Sequence, residues 1–150
     1  MSDAPTIAPI SWTELRDAVV AGGGGLFLAT ADASGRPHVA FVSAGWGDER
    51  LWTSSFASSR KVANLRQRAD AAFTCAPSPE VNLLIRAKAR LVTDLDETRQ
   101  LWNDGVLPYD PSAFFSGPED PQTQFVEFTP TVATIHPLGP GEWKRWSPSG

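Results

Sequence analysis

The sequence predicts a mainly β fold, a small antiparallel barrel of six strands with a few short helices on its outside. Three observations predict it. Residues Val81–Val92 alternate, with Val81, Leu83, Ile85, Ala87, Ala89 and Leu91 on one face and Asn82, Leu84, Arg86, Lys88 and Arg90 on the other. Period two over that length marks a strand with one polar face. Two early apolar runs flank the turn Asp32-Ala33-Ser34-Gly35, as in a hairpin. The regular strand–helix alternation of a doubly wound parallel sheet is absent. The chain has 150 residues, 41% of them hydrophobic and 20% charged. That is the length of one ordinary domain, with enough apolar material for one sizeable core. The chain is read as one domain over 1–150, with 1–10 and 137–150 as arms.

Each element follows from local pattern. Ser11 and Glu14 have capping-box spacing, and Trp12, Leu15 and Val19 recur near the helical period. A helix is therefore expected from about Trp12 to Ala21, ended by Gly22–Gly25. This glycine run lacks the lysine–serine pair of a phosphate-binding P-loop, and Leu26–Thr30 after it reads as a strand. The glycines are a helix-to-strand joint. Pro37–Trp46 is the second strand, and Gly47-Asp48-Glu49 turns into the strand Arg50–Ser54. Ser58–Arg68 reads as a helix with Val62, Leu65 and Ala69 on one face. Ala71–Ala76 is a short strand stopped by Pro77 and Pro79. Asp94 with Glu97 opens a third helix that Gly105 ends. Residues 106–121 contain Pro108, Pro111, Pro118 and Pro121, which predicts a loop with one short turn around Phe114. The last strand segments are Gln122–Phe128 and Thr131–Ile135. Trp143 and Trp146 carry much apolar area for a free tail, so the tail is expected to dock.

Composition excludes several classes. No apolar run approaches the ~20 residues of a membrane helix. The amino-terminal MSDAPTIAP has an acid and two prolines where a secretory signal has basic residues and an apolar run, so a cytoplasmic address is expected. One cysteine, Cys75, excludes an intrachain disulfide and, with two histidines, a cysteine-based zinc site. No metal site is expected. The formal net charge of −4 argues against general nucleic-acid binding. The distribution of charge is uneven. Residues 58–70 carry Arg60, Lys61, Arg66 and Arg68 against Asp70, whereas residues 94–127 carry eight carboxylates against Arg99. A small basic spot on an acidic chain suits a compact anion such as one phosphate; a solvated helix face is the plainer alternative. No G-x-S-x-G nucleophile motif occurs. His38, early in a strand, reads as a surface histidine, and Cys75 as a small buried hydrophobe.

The densest polar feature is Thr53-Ser54-Ser55-Phe56-Ala57-Ser58-Ser59-Arg60-Lys61, five hydroxyls and two cations where a strand leads into a helix. Unpaired N–H groups at a helix start favour an anion, and an arginine can grip two phosphate oxygens at once. This is a candidate monophosphate site. No side chain stands out as a general acid or base, which fits chemistry carried by a cofactor.

At these residues the sequence resembles the pyridoxamine 5′-phosphate oxidase-like flavoproteins with the FMN-binding split barrel, and among them the general stress protein 26 branch. The resemblance covers roughly residues 12–136. It rests on LATADASGRPHVAFVSAGW, LWTSSFASSRKVANLRQRADAAF, NLLIRAKARLVTDLDETRQLW and FFSGPEDPQTQFVEFTP. It implies a six-stranded antiparallel split barrel, a homodimer with FMN at the subunit interface, and FMN-dependent redox chemistry on a small molecule. Carried over by position, Ser59, Arg60 and Lys61 meet the phosphate, joined by Ser54 and Ser55. Ala40, Phe41, Val42 and Ser43 line the flavin ring. Asn82 falls where a polar side chain meets flavin or ribityl, and His136 where many members place a tryptophan near the cofactor. Two departures stand out. Ala40 occupies the position of a phosphate-binding arginine. The tail Glu142-Trp143-Lys144-Arg145-Trp146 replaces the arginine-bearing segment with which true oxidases hold the vitamin B6 substrate, so that oxidation is not expected. A deazaflavin-dependent reductase and a non-catalytic flavin-binding module are the alternatives. A haem-ligand role for His136, known among split-barrel relatives, is the minor one.

Overall fold

The computed structural model describes residues 7–149. In chain order the elements are β1 (Ile7–Pro9), α1 (Trp12–Ala21), β2 (Gly25–Ala31), β3 (Pro37–Ser43), β4 (Gly45–Gly47), β5 (Arg50–Phe56) and α2 (Arg60–Gln67). They continue with β6 (Asp70–Ser78), β7 (Val81–Leu91), α3 (Leu95–Asp104), β8 (Thr123–Pro137) and β9 (Trp143–Trp146). The strands pair in the order β1-β9-β8-β7-β6-β2-β3, and β5, with β4 on its flank, joins β8 as well. Among the described residues no ladder joins β3 to β5, so the sheet curls without closing. The expected antiparallel split barrel of six main strands is present as β2, β3, β5, β6, β7 and β8, with three short strands added.

Local chemistry sets the helix boundaries. Ser11 accepts the Glu14 N–H at 3.1 Å and Asp94 accepts the Glu97 N–H at 3.0 Å, so each cap satisfies a donor that lacks a helical partner. Gly105 ends α3 in the left-handed region, φ 65°, where a side chain would be strained. The helix expected from Ser58 begins at Arg60, because the Ser59 hydroxyl serves as the cap, accepting from the Val62 N–H.

The alternation of β7 buries Leu83, Ile85 and Ala87 and leaves Lys88 outside, paired with Asp70. These side chains join Leu15, Leu26, Leu28, Leu51, Phe73 and Phe128 in the main core. A smaller cluster forms around Val92, Leu107 and Phe125, with Trp52, Trp102 and Tyr109 against it.

Three boundaries differ from the sequence expectation. Segments 122–128 and 131–135 are one strand, because a bulge leaves Thr131 outside the pairing between Pro130 and Val132. Proline, lacking an N–H, is tolerated at such an irregularity. Segment 37–46 divides at Ala44 into β3, which pairs with β2, and β4, which pairs with β5. Pro77 does not stop β6, which runs on to Ser78 through a register shift. The terminal segments, read as arms, are taken into the sheet: β1 lies parallel to β9, and β9 antiparallel to β8. Trp146 is buried against Trp12, ring centroids 4.8 Å apart, and Trp12 packs in turn on Trp46 at 4.9 Å. No helix among the described residues is long and apolar enough to cross a membrane.

Candidate functional site

The carboxyl ends of β3 and β5 and the start of α2 converge on a cavity of about 400 Å³. That volume lies within the ~300–1,000 Å³ range of small-molecule sites. Phe41, Val42 and Ser43 from β3, Ser54, Ser55 and Phe56 from β5, and Lys61 from α2 line it. The opposite wall is Tyr109, Phe114 and Phe115, from the proline-rich loop after α3. A short 3₁₀ turn, Pro111–Ala113, capped by Asp110, shapes that loop and presents the aromatics.

The hydroxyls of the 53–59 segment have separate fates. Ser54 Oγ lies 2.6 Å from the Tyr109 phenol, a hydrogen bond that pins the loop to β5. The Ser58 hydroxyl donates to Gln122 and the Ser59 hydroxyl caps α2, so neither is free. Ser55 is buried, and its Oγ has no partner in the protein. Lys61 is half-buried. Desolvation pushes its amine pKa down, and no carboxylate acts to restore it. The cavity therefore presents one orphaned hydroxyl and one uncompensated cation between aromatic walls.

Of the residues expected at the site, Phe41, Val42, Ser43, Ser54, Ser55 and Lys61 are brought together. Ala40 lies on the opposite face of β3 from Phe41 and is not in the lining. Arg60 is exposed and borders a separate polar cleft with Asp32 and His38. Asn82 and His136 pair with each other across β7 and β8. His136 stacks on Trp143 at 4.4 Å, in an apolar cleft with Ile10, Ala18 and Val81. From Phe125, which faces Ser54, to His136 runs roughly 30 Å of strand at ~3.3 Å per residue. Within one chain these two side chains cannot reach the cavity. Phe56, Tyr109, Phe114 and Phe115 were missed as lining residues. The available signal was the aromatic content of the proline-rich loop, which brings together the chain's one tyrosine and two adjacent phenylalanines.

An open antiparallel barrel with such a cavity at the β3–β5 ends defines a class, and sequence comparison identifies it. The chain belongs to the pyridoxamine 5′-phosphate oxidase family, whose sequence profile matches residues 15–136. Solved structures share the fold. A Clostridium acetobutylicum protein related to general stress protein 26 aligns with TM-score 0.70 and 17% identity, over 92% of this chain and 96% of its own. A pyridoxamine 5′-phosphate oxidase-related, FMN-binding protein from Nostoc punctiforme gives 0.67 and 17%, over 97% and 91%. The heme storage protein of Vibrio cholerae gives 0.58 and 17%, over 79% and 86%. No functionally curated protein matches the sequence.

Proposed function

We propose that this chain is a flavin-binding redox protein, an FMN-dependent oxidoreductase acting on a small molecule other than the vitamin B6 substrate. One observation carries the reading: the unpartnered Ser55 hydroxyl and the uncompensated Lys61 amine border the same cavity. A buried polar group left unpaired costs about 1–3 kcal/mol, so both groups gain from an anionic acceptor. A phosphate supplies it. Aromatic walls suit a planar ring, and the FMN-binding relative with the same fold supports the choice of flavin.

The bound flavin supplies hydride and electron transfer. The protein's part is to bind, orient and exclude water. Lys61 offsets phosphate charge and Ser55 donates to a phosphate oxygen. Tyr109 holds Ser54 and the loop in place, and Phe41, Phe56, Phe114 and Phe115 keep the cavity dry. Asn82 and His136 reach the site only from a second copy, which motivates a homodimer. The exposed apolar side chains Phe27, Val39 and Phe41 on the outer face of β2 and β3 provide a surface for one.

The test is a visible absorption spectrum of the purified protein, followed by FMN titration of stripped protein and its Lys61→Ala variant. Flavin bands and a dissociation constant raised at least ten-fold by Lys61→Ala are expected. A haem or deazaflavin spectrum, or an unchanged constant, overturns the reading. Turnover with reduced nicotinamide then separates an enzyme from a carrier.

A further inference from the structure

We propose that the anion-binding part of this site extends past one phosphate, so that its ligand is a flavin-type ring whose side chain bears two anionic groups in series. The proposal rests on the flavin reading above and concerns the adjoining cleft, of about 270 Å³, lined by Asp32, Arg36, Pro37, His38, Arg60 and Asn64.

Two elements place this cleft beside the first cavity. On β3, residues 38, 40 and 42 share a face. His38 borders the cleft and Val42 the cavity, with Ala40 between them. At the start of α2, Arg60 borders the cleft and its neighbour Lys61 the cavity. The partition between the two spaces therefore lies at residue 40, where the side chain is a methyl group. The charges divide in the same way. In the cleft the Asp32 carboxylate is taken up by Arg36 at 2.8 Å and by the N–H groups of Ser34 and Arg36, each at 2.9 Å. Arg60 has no ion-pair partner among the described residues, and the cleft keeps a basic excess. A lone phosphate monoester near neutrality carries roughly −1.5 to −2 charges, more than Lys61 alone offsets. Two anionic groups carrying a single charge each, in series, match Lys61 and Arg60 one to one.

A flavin dinucleotide and a deazaflavin with an acidic tail share this chemistry. The experiment titrates stripped protein with riboflavin, FMN, FAD and an oligoglutamyl deazaflavin, following fluorescence. FAD or the deazaflavin is expected to bind about ten-fold more tightly than FMN, and whichever does so identifies the source of the second anion. Arg60→Ala, at an exposed position, should erase that preference. Ala40→Leu, checked for folding by its melting curve, should erase it too by closing the passage. FMN binding at least as tightly as both longer ligands overturns the proposal, as does a preference that survives Arg60→Ala. Binding of none of the four overturns the flavin reading itself.

Discussion

Lys61 and Ser55 are the residues on which the chemistry of the cavity turns, and both can be tested one at a time. Burial lowers the Lys61 pKa in the empty protein, so the amine loses its charge below the ordinary lysine range near 10.4. A depressed cation destabilises the empty fold while it is charged, and stability is regained as pH rises through its folded pKa towards the unfolded one. Ligand binding runs the other way, because an anion needs the charged amine. Flavin affinity should therefore fall with rising pH from a midpoint below that of a free lysine, and Lys61→Arg should flatten the profile. Titrations at several alkaline pH values check this. For Ser55→Ala, removing an unpaired buried hydroxyl should leave the melting temperature of the empty protein unchanged or raised. The rise in melting temperature on adding FMN should shrink. A destabilised empty protein would mean that Ser55 has a structural partner.

At the scale of elements, the cavity depends on how closely loop 106–115 approaches the sheet. A Cβ on Gly45 would lie 1.7 Å from the Val106 carbonyl oxygen, which neither backbone can yield without moving apart. Gly45→Ala should cost about 1–3 kcal/mol, seen in chemical denaturation, and should displace Tyr109 from Ser54, weakening flavin binding as well. Strand β3 offers the opposite experiment. Ala40 lies opposite Leu28 in the β2–β3 ladder and between the two anion-binding spaces. An arginine there adds a bidentate phosphate partner, so Ala40→Arg should tighten FMN binding by about ten-fold or more. Nanomolar FMN affinity in the unaltered chain, or no gain in a folded Ala40→Arg variant, would show that Lys61 and Ser55 already saturate the phosphate.

For the whole molecule, the outer face of β2 and β3 is the surface to alter. Phe27 and Phe41 meet edge to face at 5.5 Å, yet are 48% and 65% exposed, and Val39 beside them is 60% exposed. A contiguous apolar face of this kind marks an interaction site. Light scattering should find a dimer at micromolar concentration, and Val39→Glu with Phe27→Glu should yield a monomer that has lost flavin affinity. A monomer in the unaltered protein would leave Asn82 and His136 without a cavity to serve.

The sequence by itself determined the strands, the helix caps and the split-barrel class, because these depend on period, capping chemistry and turn residues within a few positions. It also marked the 53–61 segment as the place for an anion. Only the tertiary structure decided which of those hydroxyls were free. Ser58 and Ser59 are consumed by Gln122 and by the helix cap, Ser54 by Tyr109, and Ser55 alone is left unpaired. Arg60 and Lys61 are neighbours in sequence but face different spaces, because successive residues on a helix point about 100° apart. The aromatic wall was hidden for a related reason. Tyr109, Phe114 and Phe115 reach the cavity through a proline-rich loop with no period to read, and a hydrogen bond spanning 55 residues fixes its place.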